Sequence, residues 1–136
     1  MNYAASVALQ TAIYDALMND AALTAQLSGQ IFDAPPTGDL PQIYALIGDE
    51  RVLDRSSKTS SAAIHEFRVL VIATESGFTN AKHAASEIAK VLQTTPLNLS
   101  HGILVDLSLR SVRATRGNIA NRRQIDLTFR AYIDAV

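Results

Sequence analysis

Three histidines, His65, His83 and His101, are the residues of this 136-residue chain best suited to hold a metal or move a proton near neutral pH. None stands in the H-E-x-x-H spacing that puts two imidazoles on one helical face, and a zinc or iron centre would need further ligands converging from elsewhere. By position they fall on a strand, on the polar face of a helix and in a tight turn, the usual places of surface or boundary histidines. There is no cysteine, which excludes disulfides, thiol nucleophiles and thiolate-held metals and suits a reducing compartment. Ser56, Ser57, Ser60 and Ser61 cluster, but without the G-x-S-x-G elbow that exposes a nucleophilic hydroxyl. Asp49 and Glu50 have the types of a general acid and base, yet two carboxylates at the end of a strand are far more often solvated. The glycines are scattered and form no phosphate loop. The residues call for no cofactor, and an enzyme is the weaker class of function.

One charged cluster remains. In "RSVRATRGNIANRRQ", residues 110 to 124, five arginines occur without an acid. Gly117 and Asn118 suggest a hairpin loop that would gather Arg116, Arg122 and Arg123 at one end of a sheet. Guanidinium groups there can grip phosphates or carboxylates through paired hydrogen bonds. A small nucleic-acid-binding module using the Arg113–Arg123 loop is therefore the alternative function. No aromatic residue is interleaved, as base stacking by a single-strand binder requires, so a solvated or carboxylate-paired loop is favoured.

The elements that must position these residues can be read from periodicity. Ala5, Ala8, Leu9, Ala12, Ile13 and Ala16 share one face of a helix over residues 4 to 18. Asp20 is placed to cap a second helix, Ala21 to Leu27, which Gly29 can close in the left-handed conformation. Strands are expected at Ile31 to Asp33, Gln42 to Asp49 and Ala63 to Thr74. In the last of these, Phe67, Val69 and Val71 oppose Glu66 and Arg68. Ala81 to Leu92 is an amphipathic helix, with Thr79 or Ser76 as its cap. Leu97 to Leu99 and Gly102 to Arg113 suggest a hairpin, with Ile103, Val105, Leu107 and Leu109 on one face. Ile125, Leu127, Phe129, Ala131 and Ile133 alternate with polar residues in a closing strand. The order α-α-β-β-β-α-β-β-β predicts an α+β fold: an antiparallel or mixed sheet, with an N-terminal helical hairpin and one central helix packed on one face.

A single domain over residues 1–136 is expected from length. The hydrophobic fraction of 48% and charged fraction of 18% are those of a globular protein. Residues 1 to 20 lack a basic n-region, no stretch approaches a membrane span, and a cytoplasmic protein with no membrane partner is the expectation. The net charge of −1 hides an asymmetry. Residues 1 to 50 hold six acids and no lysine or arginine, whereas residues 100 to 136 hold six arginines against three aspartates. Faces of opposite sign suit head-to-tail self-association, although a drift among solvated residues would look the same. Residues 50 to 62 read as a long polar connection, mobile in a free subunit and ordered by a neighbour.

"IFDAPPTGDLPQIYALIG", residues 31 to 48, sets three prolines between two apolar runs. Prolines at a sheet edge remove ladder donors and stiffen the chain before any partner arrives. This segment reads as a projecting arm or rim, or else as a rigid loop with no partner.

Taken end to end, the chain resembles the small tail-completion or tail-terminator proteins of long-tailed bacteriophages and gene transfer agents. The resemblance is carried by "LQTAIYDALMNDAAL", "GQIFDAPP", "LPQIYALIGDE", "KTSSAAIHEFRVLVIA", the helix from Ala81 to Leu92, the "PLNLSHGILVDLSL" segment and a closing strand preceded by arginine. It implies a structural protein without catalytic residues. Such a subunit builds a ring, typically a hexamer, that caps the tail tube and joins it to a neck, stopper or connector protein, with DNA only as cargo through the lumen. It also implies assembly in the cytoplasm followed by residence in the phage-like particle. The candidate interface residues are then Pro35, Pro36 and Pro41, Asp49 and Glu50, Arg51, Arg55 and Lys58, and Arg116, Arg122 and Arg123.

Overall fold

A computed structural model of the protein describes residues 3–74, 78–116 and 122–134. Two helices, α1 (Ala5–Met18) and α2 (Ala21–Leu27), precede three strands, β1 (Ile31–Phe32), β2 (Ile43–Asp54) and β3 (Ala62–Ala73). Helix α3 (Thr79–Thr94) then leads to β4 (Ile103–Thr115) and β5 (Arg123–Asp134). The strands form one mixed sheet in the order β1-β2-β3-β5-β4, with β1 parallel to β2 and every other pair antiparallel. The expected α+β class is what the chain adopts.

Alternation builds the core. His65, Phe67, Val69, Val71 and Ala73 of β3 are buried on one face, in register with Ala131, Phe129, Leu127, Ile125 and Arg123 of β5. The Phe67 and Phe129 rings stack at 5.4 Å between centroids, an arrangement that adds about 1 kcal/mol to their burial. Leu9, Ile13 and Leu17 of α1, Leu23 and Leu27 of α2, and Ile88 and Leu92 of α3 close over this face. All three helices thus lie on one side; the other side carries no helix and is largely open, although Tyr44 and Ile72 are buried on it.

Local chemistry sets the helix ends as expected in one case and not in another. Asp20 accepts the Leu23 N–H at 3.0 Å and caps α2, an interaction of about 1 kcal/mol. The end of α2 turns through two left-handed residues, Ser28 and Gly29, rather than Gly29 alone. Helix α3 begins after Phe78, whose side chain makes no capping bond, and Thr79 is its first helical residue and not its cap; the other expected cap, Ser76, lies outside the described residues.

Three sequence expectations need correction. Leu97 to Leu99 is not a strand, so the proposed hairpin at Ser100–Gly102 does not form; Leu97 and Leu99 pack as loop residues against the core. The hairpin is β4–β5, paired from Ile103↔Asp134 to Thr115↔Gln124, and its expected turn at Gly117 and Asn118 lies outside the described residues. Residues 50 to 54 are strand, because β2 runs on to Asp54. The connection to β3 is only residues 55–61, closed by the Arg55 N–H to Ala62 carbonyl bond and a Ser57–Ser60 bridge.

Candidate assembly surfaces

A bulge in β2 decides what Asp49 and Glu50 do. Ile47 pairs with Val69 and Glu50 with Phe67, so Gly48 and Asp49 together oppose Arg68 alone. A Cβ at Gly48 would stand 2.5 Å from Leu70 Cδ1, so a larger residue there requires the Leu70 side chain to move. Strict alternation would turn Glu50 away from the helices. The extra residue turns it under them and leaves Asp49 on the open face with Arg68. The two carboxylates therefore face opposite ways and cannot work as an acid–base pair.

Under the helices Glu50 accepts hydrogen bonds from Tyr3 Oη at 2.6 Å and Ser6 Oγ at 2.8 Å, and lies 3.3 Å from His65 Nδ1. Burial pushes the Glu50 carboxyl up, but the bonds from Tyr3, Ser6 and His65, with the imidazole's charge, hold it below its ordinary value. His65 is 1% exposed, which corrects its reading as a surface or boundary residue. Its position two before Phe67 in an alternating strand was the signal. Serine, histidine and glutamate meet here in the wrong order for nucleophilic catalysis. The carboxylate stands between hydroxyl and imidazole, so Ser6 donates to an acid instead of to a base. The cluster anchors the first turn of α1 to β2 and β3.

The open face carries a charged ladder. Arg68 bridges Asp49 and, at 3.5 Å, Asp126, while Arg130 meets Glu66 at 3.3 Å directly across the β3–β5 pair. Exposed pairs of this kind each stabilise by at most about 1 kcal/mol. They fix which charges the face presents. Among the described residues no group of three or more His, Asp or Glu side chains is placed to hold a metal, and no helix is long and apolar enough to cross a membrane.

The candidate interface residues fall into three places. Pro35, Pro36 and Pro41 lie in the return from β1 to β2, at one edge of the sheet; Pro35 is exposed and the other two half-buried. Arg55 and Lys58 are exposed at the β2–β3 tip, with Arg51 exposed on the adjoining strand. Arg116 is exposed where β4 ends, at the opposite end of the strands from that tip. Arg122 and Arg123 lead into β5 there, but they do not converge on a common ligand. Arg122 reaches Gln124, and the Arg123 guanidinium sits over the Phe78 ring at 5.5 Å. Arg113 projects from the open face opposite Asp126. Glu50, a candidate on sequence, is committed inside the subunit.

Sequence reasoning missed the far edge. β4 is thirteen residues long, pairs among the described residues only with β5, and exposes Ile103, Val105 and Val112. Bulges after Leu104 and Leu109 break its alternation. Leu104, Leu107, Leu109, Val112 and Ala114 consequently share the helix-side face, in place of the expected Ile103, Val105, Leu107 and Leu109. Between that face and α3 runs an apolar groove of about 340 Å³.

Residues 11–134 match a protein-family model described as tail completion protein gp17. A chain from the virion of a native gene transfer agent (GTA) particle is 41% identical, with a TM-score of 0.92 over 98% of this chain and 99% of that one. The bacteriophage SPP1 gp17 protein is 22% identical over 93% and 90% of the two chains, with a TM-score of 0.58, a likeness of fold alone. No curated protein sequence gives a significant match.

Proposed function

We infer the role of the chain from one premise: it belongs to the tail completion protein gp17 family. We propose that it is a structural, non-enzymatic component of a phage-like particle, a subunit of a closed ring, hexameric in the reading we favour. The ring terminates the tail tube and joins it to the neck or connector, and DNA passes through its lumen. The observation that carries this is the end-to-end likeness to a chain of a gene transfer agent virion.

The geometry supports a ring in a second way. The two sheet edges differ in sequence and charge, as a head-to-tail contact requires; a contact of that type closes into a ring when its rotation permits. The two ends of the strands also differ. Arg51, Arg55 and Lys58 lie toward one end, and Arg116, Arg122 and Arg123 toward the other, giving the ring distinct rims for the tail tube protein and the neck protein. Asp49 and the proline loop supply acidic surface for a neighbour's arginines, a pairing that steers orientation more than it adds affinity. Assembly takes place in the cytoplasm before the subunit becomes part of the particle.

Deleting the gene tests the role. Finished tails and filled heads should accumulate unjoined and be rescued by the protein supplied in trans. Complete, stably joined particles without it would overturn the proposal. The nucleic-acid reading gains no support from arginines engaged with Gln124 and Phe78 and spread over two faces.

A further inference from the structure

The α3–β4 groove and the proline loop are complementary features at opposite edges of one subunit. Resting on the ring reading above, we propose that the groove of one copy receives residues 33–42 of the next, with Leu40 as the buried anchor. The groove exists because α3 turns its large side chains, Ile88 and Leu92, into the core and offers alanines at its flank. Ala85 and Ala89 form one wall, Leu109 and Val112 the other, and Ile125 and Leu127 the floor. Val112 is left 52% exposed. Apolar surface of this kind on an uncovered edge strand calls for a partner.

Charge identifies the partner. Along the β4 side of the groove, Arg110 and Arg116 are exposed without an acid between Leu107 and Arg116, and Lys82 of α3 lines the groove; Arg113 projects from the other face, opposite Asp126. Of the nearer acids, Asp106 lies toward the far end of β4, and Glu87 of α3 interacts with Asp20 instead. Residues 33–42 hold Asp33 and Asp39, no cation, and one large apolar side chain, Leu40, which is 54% exposed. Gly38 turns the loop at φ 81°, and three prolines restrict it, so little order remains to be lost on docking. The loop cannot reach the groove of its own subunit, because β1 and β4 are the two edges of the sheet. It can only enter another copy's groove, and the contact propagates in one sense. The β4 bulges at Val105 and Arg110 blunt strand-to-strand addition, so the neighbour docks through side chains.

The absence of native cysteine makes the test clean. Particles carrying the double variant Leu40→Cys, Val112→Cys are oxidised mildly and resolved without reductant. A ladder of covalent oligomers is expected from the double variant. Little cross-linking is expected from either single variant, or from a Leu40→Cys, Ile103→Cys pair, since Ile103 is exposed at the other end of β4. Dimers from Val112→Cys alone would mean that two β4 edges meet, and equal ladders from the Ile103 pair would mean that the groove is not the contact. Either result overturns the assignment. Particles that contain multiple copies but give no ladder overturn it while leaving the ring intact; particles that lack the protein overturn both.

Discussion

The two edges of the sheet are finished in opposite ways. At one, β1 contributes two residues, a proline-stiffened return covers the chain, and the adjoining β2 is pinned to α1 through Tyr3, Ser6, Glu50 and His65. At the other, β4 runs thirteen residues with nothing beyond it among the described residues, and it exposes valine and isoleucine beside arginine. A domain that needed only to fold would cover or shorten such a strand. On the ring reading proposed above, the pinned edge holds α1 to the sheet and presents the proline loop, and the bare edge receives it.

Breaking the pinned side should cost the most stability. Glu50→Ala leaves the buried His65 without its carboxylate partner and removes the acceptor of Tyr3 and Ser6. We expect a loss of about 2–3 kcal/mol by chemical denaturation. The pH dependence has a definite sign. Glu50's folded pKa lies below its ordinary 4.5, so its stabilisation is complete above that value and disappears as pH falls through the lowered folded value. The wild-type chain should lose stability over that interval more steeply than Glu50→Gln; parallel curves would show that the cluster is not what pins α1.

Replacing Pro35 and Pro36 by alanine sharpens the comparison from the other direction. Each change frees the unfolded chain and should lower stability by about 0.4–1 kcal/mol, while ring formation weakens more than stability does. At the bare edge, Val112→Asp should leave subunit stability within about 0.5 kcal/mol yet sharply reduce incorporation into particles, measured by quantitative blotting. Large unfolding by Val112→Asp would mean that β4 belongs to the core.

Trypsin offers a test at the β2–β3 tip. Arg55 and Lys58 are exposed there, so cleavage of the free subunit and protection in the particle are expected. The smallest effect is at Glu87. Its hydrogen bond to Asp20, followed by burial and charge repulsion, raises its carboxyl above the ordinary value. Glu87→Gln should therefore raise the melting temperature slightly at neutral pH, and the gain should vanish in acid, where Glu87 is protonated.

Much of this was legible in the sequence where one period dominated. The β5 alternation from Ile125 to Ile133, the Asp20 cap and the faces of β3 all follow from residue type and spacing. Bulges defeated the facing of β2 and β4. A single added residue at Gly48–Asp49 reversed the facing of Glu50, and those after Leu104 and Leu109 redistributed the apolar face of β4. Nothing in a residue list marks where a strand takes an extra residue, because the cause is the partner strand. The α3–β4 groove was hidden for the same reason: alanines read as ordinary helix formers until the strand beside them is known.

The most direct test is a cryo-EM map of the purified particle at a resolution that traces strands at the head-proximal end of the tail. Copies of this chain should lie around a closed axis, each β4 edge facing the β1 edge of its neighbour. A chain found only as a dispersed monomer and absent from the particle, or a ring in which β4 faces solvent, would contradict this arrangement.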